Sequence, residues 1–208
     1  MKIELDKVGK RYKMEWILRG IDLSIAPQSR YAITGPNGSG KSTLMKMLSG
    51  YLSPSKGAIR FSKEDNKLPA GEVYKHLAYA APYIDLIEEL SLLEAIDFHQ
   101  KFKPLLPGMD TEGVYQLLGF RKARSKQIRN FSSGMKQRLK LALALCSDTS
   151  LLLLDEPTTN LDTEGIEWYR SLIERFAEGR TLLIASNVAV DFDFCENEID
   201  ILQYKDKR

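Results

Sequence analysis

One run constrains this chain more than any other. Gly35, Pro36, Asn37, Gly38, Ser39, Gly40, Lys41, Ser42 and Thr43 directly follow the apolar-leaning Tyr31-Ala32-Ile33. They fit the phosphate-loop pattern G-x-x-x-x-G-K-[ST] in the context that pattern demands, a strand end opening into a helix. Turns at Gly35, Gly38 and Gly40 bring backbone N–H groups close to phosphate oxygens. A helix beginning near Lys41 aims the positive end of its dipole at the same anion. The Lys41 ammonium can reach β- and γ-phosphates, and the Ser42 hydroxyl suits Mg²⁺. A nucleoside triphosphate with Mg²⁺ is the expected ligand.

Composition narrows the setting. The 208 residues suffice for one substantial domain with a smaller lobe. A formal net charge of +2 is too near neutral to argue for nucleic acid as a partner. The longest apolar runs, Leu141–Leu145 and Leu151–Leu154, fall far short of the roughly 20 residues a membrane-spanning helix needs. The N-terminus is charged and lacks the apolar core of a secretory signal. Cys146 and Cys195 fit no metal spacing, and Cys146 reads as a buried thiol. The expectation is a cytoplasmic protein with no span of its own.

Periodicity supplies the elements. Residues 2–8 and 17–25 read as antiparallel strands, and Lys41–Ser49 as a helix closed by Gly50. Strands at Ala58–Phe61 and His76–Ala80 flank a polar loop containing Asp65, Asn66, Pro69 and Gly71. Beyond Pro82 the spacing turns helical: Leu90 to Phe102 with Ser91 as cap, Val114–Leu118, and Met135–Leu145. Ser150–Asp155 is a continuous apolar strand of the kind buried in a parallel sheet. A helix at Glu164–Phe176 and strands at Thr181–Ala185 and Ile199–Leu202 complete the chain. The predicted fold is α/β: a P-loop core with a mainly parallel sheet, an N-terminal antiparallel β subdomain and an inserted helical subdomain. Residues 1–83 and 149–208 form the core, and 84–148 the insert.

Leu151-Leu152-Leu153-Leu154-Asp155-Glu156 is a Walker B pattern: Asp155 is placed to hold Mg²⁺ and Glu156 to polarise an attacking water. Between it and the phosphate loop lies Phe131-Ser132-Ser133-Gly134-Met135-Lys136-Gln137-Arg138. Here the chain resembles the nucleotide-binding domain of ATP-binding-cassette (ABC) proteins, whose signature has the form LSGGQxQR. The resemblance spans essentially the whole chain and keeps the family order, with Pro157-Thr158-Thr159-Asn160-Leu161-Asp162 as the D-loop. It implies ATP and Mg²⁺ as ligands. It also implies that Ser132 and Gly134 complete the ATP pocket of an opposite subunit in a head-to-tail homo- or heterodimer. Tyr12 matches the aromatic that stacks on adenine, with Trp16 as the alternative. The helical insert, near Pro82–Glu89 with Tyr83, Leu86 and Ile87, is where the family docks an integral membrane permease. The implied place is the cytoplasmic face of a membrane, held there through that permease.

Two elements of the pattern are missing. The switch histidine is expected at the position of Asn187, which donates one hydrogen bond but does not become cationic near pH 7. The Q-loop glutamine is absent from Ala81-Pro82-Tyr83, and His76 and His99 lie elsewhere, with structural or solvent-facing roles expected. Catalysis falls to Glu156, Lys41 and Asn187, and the implied activity is a slow ATPase coupled to transport. The alternatives are a catalytically silent ATP-gated module or a non-transport ABC protein. The basic cluster Arg121, Lys122, Arg124, Lys126 and Arg129 reads as a solvated face, with nucleic acid or phospholipid as its other reading.

Overall fold

A computed structural model describes residues 1–64 and 66–205; Asp65, in the expected polar loop, lies outside the described residues. Two compact units make up the chain. One comprises Met1–Tyr79, Ser150–Glu156 and Gly179–Arg208, the other Ala80–Thr149 and Pro157–Glu178.

The first unit opens with β1 (Lys2–Tyr12) and β2 (Glu15–Ile25), an antiparallel hairpin longer than its sequence pattern suggests. Register shifts after Leu5, Val8 and Lys10 interrupt the period-two alternation, which hides the hairpin's length from the sequence. β3 (Arg30–Thr34) leads to the phosphate loop and α1 (Lys41–Leu48). β4 (Lys56–Lys63) pairs with the free side of β1, and β5 (Asn66–Leu68) with β4, giving the sheet order β2-β1-β4-β5. Part of the expected polar loop thus carries regular structure. Asn66–Leu68 pairs back on Phe61–Lys63, too short a strand for periodicity to reveal, and a 3₁₀ turn covers Ala70–His76.

A second sheet is built from β6 (Leu77–Ala80), β7 (Leu151–Asp155), β8 (Thr181–Ala185) and β9 (Asn197–Asp200) with β3, in the order β6-β7-β8-β3-β9. β3 runs parallel to both β8 and β9, and β7 parallel to β8. All five residues of β7 are buried, as its unbroken leucine run predicts. Leu151 and Leu153 pack in one core with Ile3, Ile21, Ile33, Leu44 and Phe61. Truncating either leucine to alanine would cost roughly 2–5 kcal/mol. The strand expected at Ile199–Leu202 is displaced. The Asp200 carboxylate accepts from the Leu202 amide at 2.9 Å and starts a 3₁₀ turn over Ile201–Tyr204.

The second unit holds α2 (Leu92–Gln100), α3 (Thr111–Leu118), α4 (Ser133–Cys146) and α5 (Thr163–Phe176), each packed on the next. Ser91 and Glu94 form a capping box that starts α2. The helical insert expected over 84–148 is joined here by Pro157–Glu178. The reason is the apolar face of α5 (Tyr169, Leu172, Ile173, Phe176), which is buried, and α5 packs on α4. Trp168 adds a tie within the unit, its indole N–H donating to the Leu117 carbonyl at 2.9 Å.

Candidate active site

β3 lies between β8 and β9, so the phosphate loop leaves the carboxyl end of an interior strand, the usual position of a ligand crevice in such sheets. Two glycines are sterically required. Gly35 has φ 134° and a Cβ there would fall 2.6 Å from the Ile201 side chain. Gly40 has φ 108°, and its Cβ would meet Ile17 and Leu18 at 3.1 Å. Gly40 is also the N-cap of α1 and supplies no side-chain acceptor, so the first amides of the helix remain available to an anion. Tyr12, Ile17, Glu156 and residues 37–43 line a cleft of about 290 Å³.

Lys41 is only 5% exposed. Its ammonium donates to the Gly35 carbonyl at 2.6 Å, to Asn187 Oδ1 at 3.1 Å and, longer, to the Pro36 carbonyl at 3.4 Å. Burial lowers its pKa, while the carboxylates of Glu156 and Asp155 pull the other way. Asn187 follows β8 in a turn fixed by Ser186, whose hydroxyl donates to Asp191 and accepts from the Val188 amide. Its Nδ2 donates to Asn37 Oδ1 at 2.8 Å, so Asn187 bridges the lysine and the loop.

Asp155 ends β7 and is 1% exposed, with the Tyr79 hydroxyl 3.5 Å from Oδ2. Glu156 takes a left-handed backbone, φ 46°, and its N–H bonds the Ala185 carbonyl at 2.8 Å. That conformation costs roughly 1–2 kcal/mol in a non-glycine residue, and Glu156 lines the cleft. Among the described residues no three His, Cys, Asp or Glu side chains cluster as a metal site. The Ser42 hydroxyl and the Asp155 carboxylate are hard oxygen donors of the kind that hold Mg²⁺ together with substrate phosphates and water. The donor chemistry therefore fits that ion.

Tyr12 is 49% exposed at the rim of the cleft, with the Lys10 ammonium 5.5 Å from its ring centre. Trp16, the alternative aromatic, does not line the cleft; it lies under the guanidinium groups of Arg11 and Arg19 at 5.9 and 5.5 Å.

The second unit carries its own cleft, about 310 Å³, lined by Phe120, Ser132–Met135, Arg138 and Asn160–Asp162. Ser132 caps α4, accepting from the Met135 amide at 3.2 Å, and its hydroxyl proton is left to donate. Met135, which with Phe131 and Ser133 departs from the LSGGQxQR form, gives its backbone amide to this cap and lines the cleft. A Cβ on Gly134 would sit 2.8 Å from the Asn160 carbonyl oxygen. Gln137, buried, donates to the Pro157 carbonyl at 2.8 Å and locks the D-loop to α4. The Arg138 guanidinium lies 4.6 Å from the Trp168 ring and 5.5 Å from Phe120.

The two histidines and the basic cluster stand outside both clefts. His76 accepts through its carbonyl from Ser150, and His99 Nε2 bonds the Ser147 hydroxyl at 2.8 Å. Arg124 pairs with Glu112 and covers Tyr115, Lys126 covers Phe131, and Arg129 bonds Gln127. Sequence reasoning missed Ile17 and Tyr79 as neighbours of the site, and the Asn37–Asn187 bond. Nothing in the sequence signals contact between two asparagines so far apart.

Known proteins resemble this chain over most of its length. The ABC transporter family profile matches residues 18–159. The lantibiotic transport ATP-binding protein SrtF of Streptococcus pyogenes is 33% identical over 192 residues, covering 89% of this chain and 80% of that protein. The Nod factor export ATP-binding protein I of Paraburkholderia xenovorans is 32% identical over 190 residues, 89% of this chain and 62% of that one. Among solved structures, a putative ABC transporter ATP-binding protein from Pyrococcus furiosus superposes with a TM-score of 0.82 at 22% identity, covering 99% of this chain and 100% of that one. A dimeric ATP-binding cassette bound to ADP and Pi gives 0.82 at 23%, covering 99% and 97%. These two likenesses are of fold.

Proposed function

Because the chain belongs to the ABC transporter family and is an ATP-binding ATPase subunit of it, we propose that it closes head-to-tail with a second such subunit around two nucleotides and so drives a separate membrane permease. The observation that supports this reading is a pair of clefts on one chain, each at the start of a helix. The phosphate cradle of Gly35–Thr43 offers the amides of α1, and the Ser132–Gly134 cleft offers those of α4. A two-fold arrangement lets each cradle meet the other subunit's signature.

In this reading Tyr12 stacks on the base and the loop amides with Lys41 hold the phosphates. Ser42 and Asp155 hold Mg²⁺, which when bound neutralises phosphate charge. Glu156 accepts the proton of the water that attacks the γ-phosphorus as the bond to the β–γ bridging oxygen breaks, releasing ADP and phosphate. Asn187 supplies one uncharged donor where a histidine would serve, so hydrolysis is slow. Losing one preorganised donor costs on the order of 10²–10³ in rate. The permease faces the segment near Pro82–Glu89, and the printed functions of the Nod factor relatives favour export.

The test is Mg·ATP-dependent assembly. Glu156→Gln, which keeps the binding groups and removes the base, is expected to sediment as a dimer with Mg·ATP and as a monomer without it. Affinity capture from detergent-solubilised membranes of the native cells is expected to bring down a polytopic membrane protein. A chain that stays monomeric at saturating Mg·ATP and captures no such protein would overturn the proposal.

A further inference from the structure

We propose that Lys140 and Lys136 of α4 staple the segment 81–90 to the signature helix, so that the two move as one piece and a load on that segment reaches Ser132 and Gly134 directly. The inference rests on the reading above that this segment faces the membrane partner and that the signature closes on nucleotide.

The segment is gripped at both ends. At its start, Lys140 Nζ donates to the Pro82 carbonyl at 2.8 Å and to the Ala81 carbonyl at 3.3 Å, while the Ile84 amide closes a turn on Ala81 at 3.2 Å. Pro82 has no N–H, so its carbonyl is all its backbone offers, and α4 takes it. One helical turn earlier on the same face, Lys136 pairs with Glu88. At the far end the Arg129 amide bonds the Glu88 carbonyl at 3.0 Å and the Ile128 amide bonds Leu90 at 2.9 Å. Gln127 adds a bond from its side chain to the Glu89 carbonyl at 3.1 Å. Residues 127–131 run straight into Ser132, so the second grip pulls on the signature itself.

The segment therefore divides its surfaces. Carbonyls at 81, 82, 88, 89 and 90 turn towards α4 and its lead-in, while the Tyr83 and Ile87 side chains stay exposed at 42% and 45%. Lys140 is half-buried; burial lowers its pKa and Asp85 offsets this. Its bonds to carbonyls are charge-assisted, and the one to Pro82 at 2.8 Å has the length of a strong bond of that kind. Lys140 and Lys136 are positioning residues: they touch no nucleotide and act through Ser132 and Gly134.

Coupling of this kind is reciprocal, which allows a test on the protein alone. Amide hydrogen exchange is followed in Glu156→Gln with and without Mg·ATP, for residues 132–135 and 83–88. ATP is expected to protect 132–135 and, through the staple, to slow exchange at 83–88 about tenfold. In the added Lys140→Met background the protection at 132–135 persists and the ATP-induced change at 83–88 is lost, while Lys140→Arg restores it. If Lys140 merely stiffened the fold, its replacement would raise exchange equally with and without ATP, leaving the ATP-induced ratio unchanged. Undiminished transmission in Lys140→Met, or no ATP effect at 83–88 in the parent, overturns the staple. No ATP protection at 132–135 in the parent instead overturns the nucleotide-sandwich reading, and the staple with it. If Lys140→Met does not fold, Glu88→Gln, on a more exposed side chain, is scored by the same criterion.

Discussion

Asn187 concentrates the catalytic question in one side chain. Its carbonyl holds Lys41 and its amide holds Asn37, so it serves the cradle as well as any γ-phosphate contact. An imidazole at 187 would add a titrating donor near the attacking water. Asn187→His is expected to raise kcat roughly 10–100-fold, and to introduce an acid limb near pH 6.5 absent from the parent's profile. Steady-state phosphate release across pH 5.5–8.5 checks both; an unchanged rate and profile would show that position 187 does not limit hydrolysis. Much of the site at this scale was legible in the sequence, since the phosphate loop and Walker B residues are contiguous strings whose chemistry follows from residue type. The Asn187–Asn37 bond was not, because it joins residues distant in the chain through a turn set by Ser186 and Asp191.

At the scale of elements, the ends of helices carry most of the consequences. Gly134 sits in the first turn of α4 with the Asn160 carbonyl where a Cβ would go. Gly134→Ala must push the D-loop or the helix aside, so ATP-dependent dimerisation is expected to weaken at least tenfold, about 1.4 kcal/mol or more. Nucleotide binding to the monomer should be unaltered. Sedimentation with Mg·ATP and fluorescent-nucleotide titration separate the two. The capping box of α2 is purely structural: Ser91→Ala is expected to cost about 1 kcal/mol in urea unfolding, with ATPase activity retained. Element types were readable because β7 is an unbroken leucine run and the apolar periods of α4 and α5 are long. The 3₁₀ turn after β9 and the short β5 escaped, since each is set by a few local hydrogen bonds and pairings rather than by a pattern. α5 also joined the helical unit through its packing on α4, a tertiary preference that no local pattern expresses.

For the molecule as a whole, acid sensitivity follows from His99. Burial, with Lys103 nearby, lowers its pKa to about 4, against a bond to the Leu143 carbonyl that favours the proton. Below about pH 6.5 the unfolded chain takes up a proton that the native chain refuses until about pH 4. Stability from this group is therefore complete above pH 6.5 and falls as the pH drops towards 4, by up to roughly 3 kcal/mol. Urea midpoints at pH 7.5, 6 and 5 measure the slope, and His99→Gln should flatten it. The phosphate cradle lies in one unit and the signature cleft in the other, yet every copy carries both. In a mixed population the proposed pairing becomes a counting problem. Chains with Lys41→Ala, and chains with Gly134→Ala kept below the concentration at which their weakened pairs form, are each expected to be inactive alone. Mixed in equal amounts, about half the pairs formed at random join unlike partners, and each such pair holds one cradle and one signature that are both intact. Two dead preparations should then recover about a quarter of the parent's working sites, a complementation that inert monomers cannot produce.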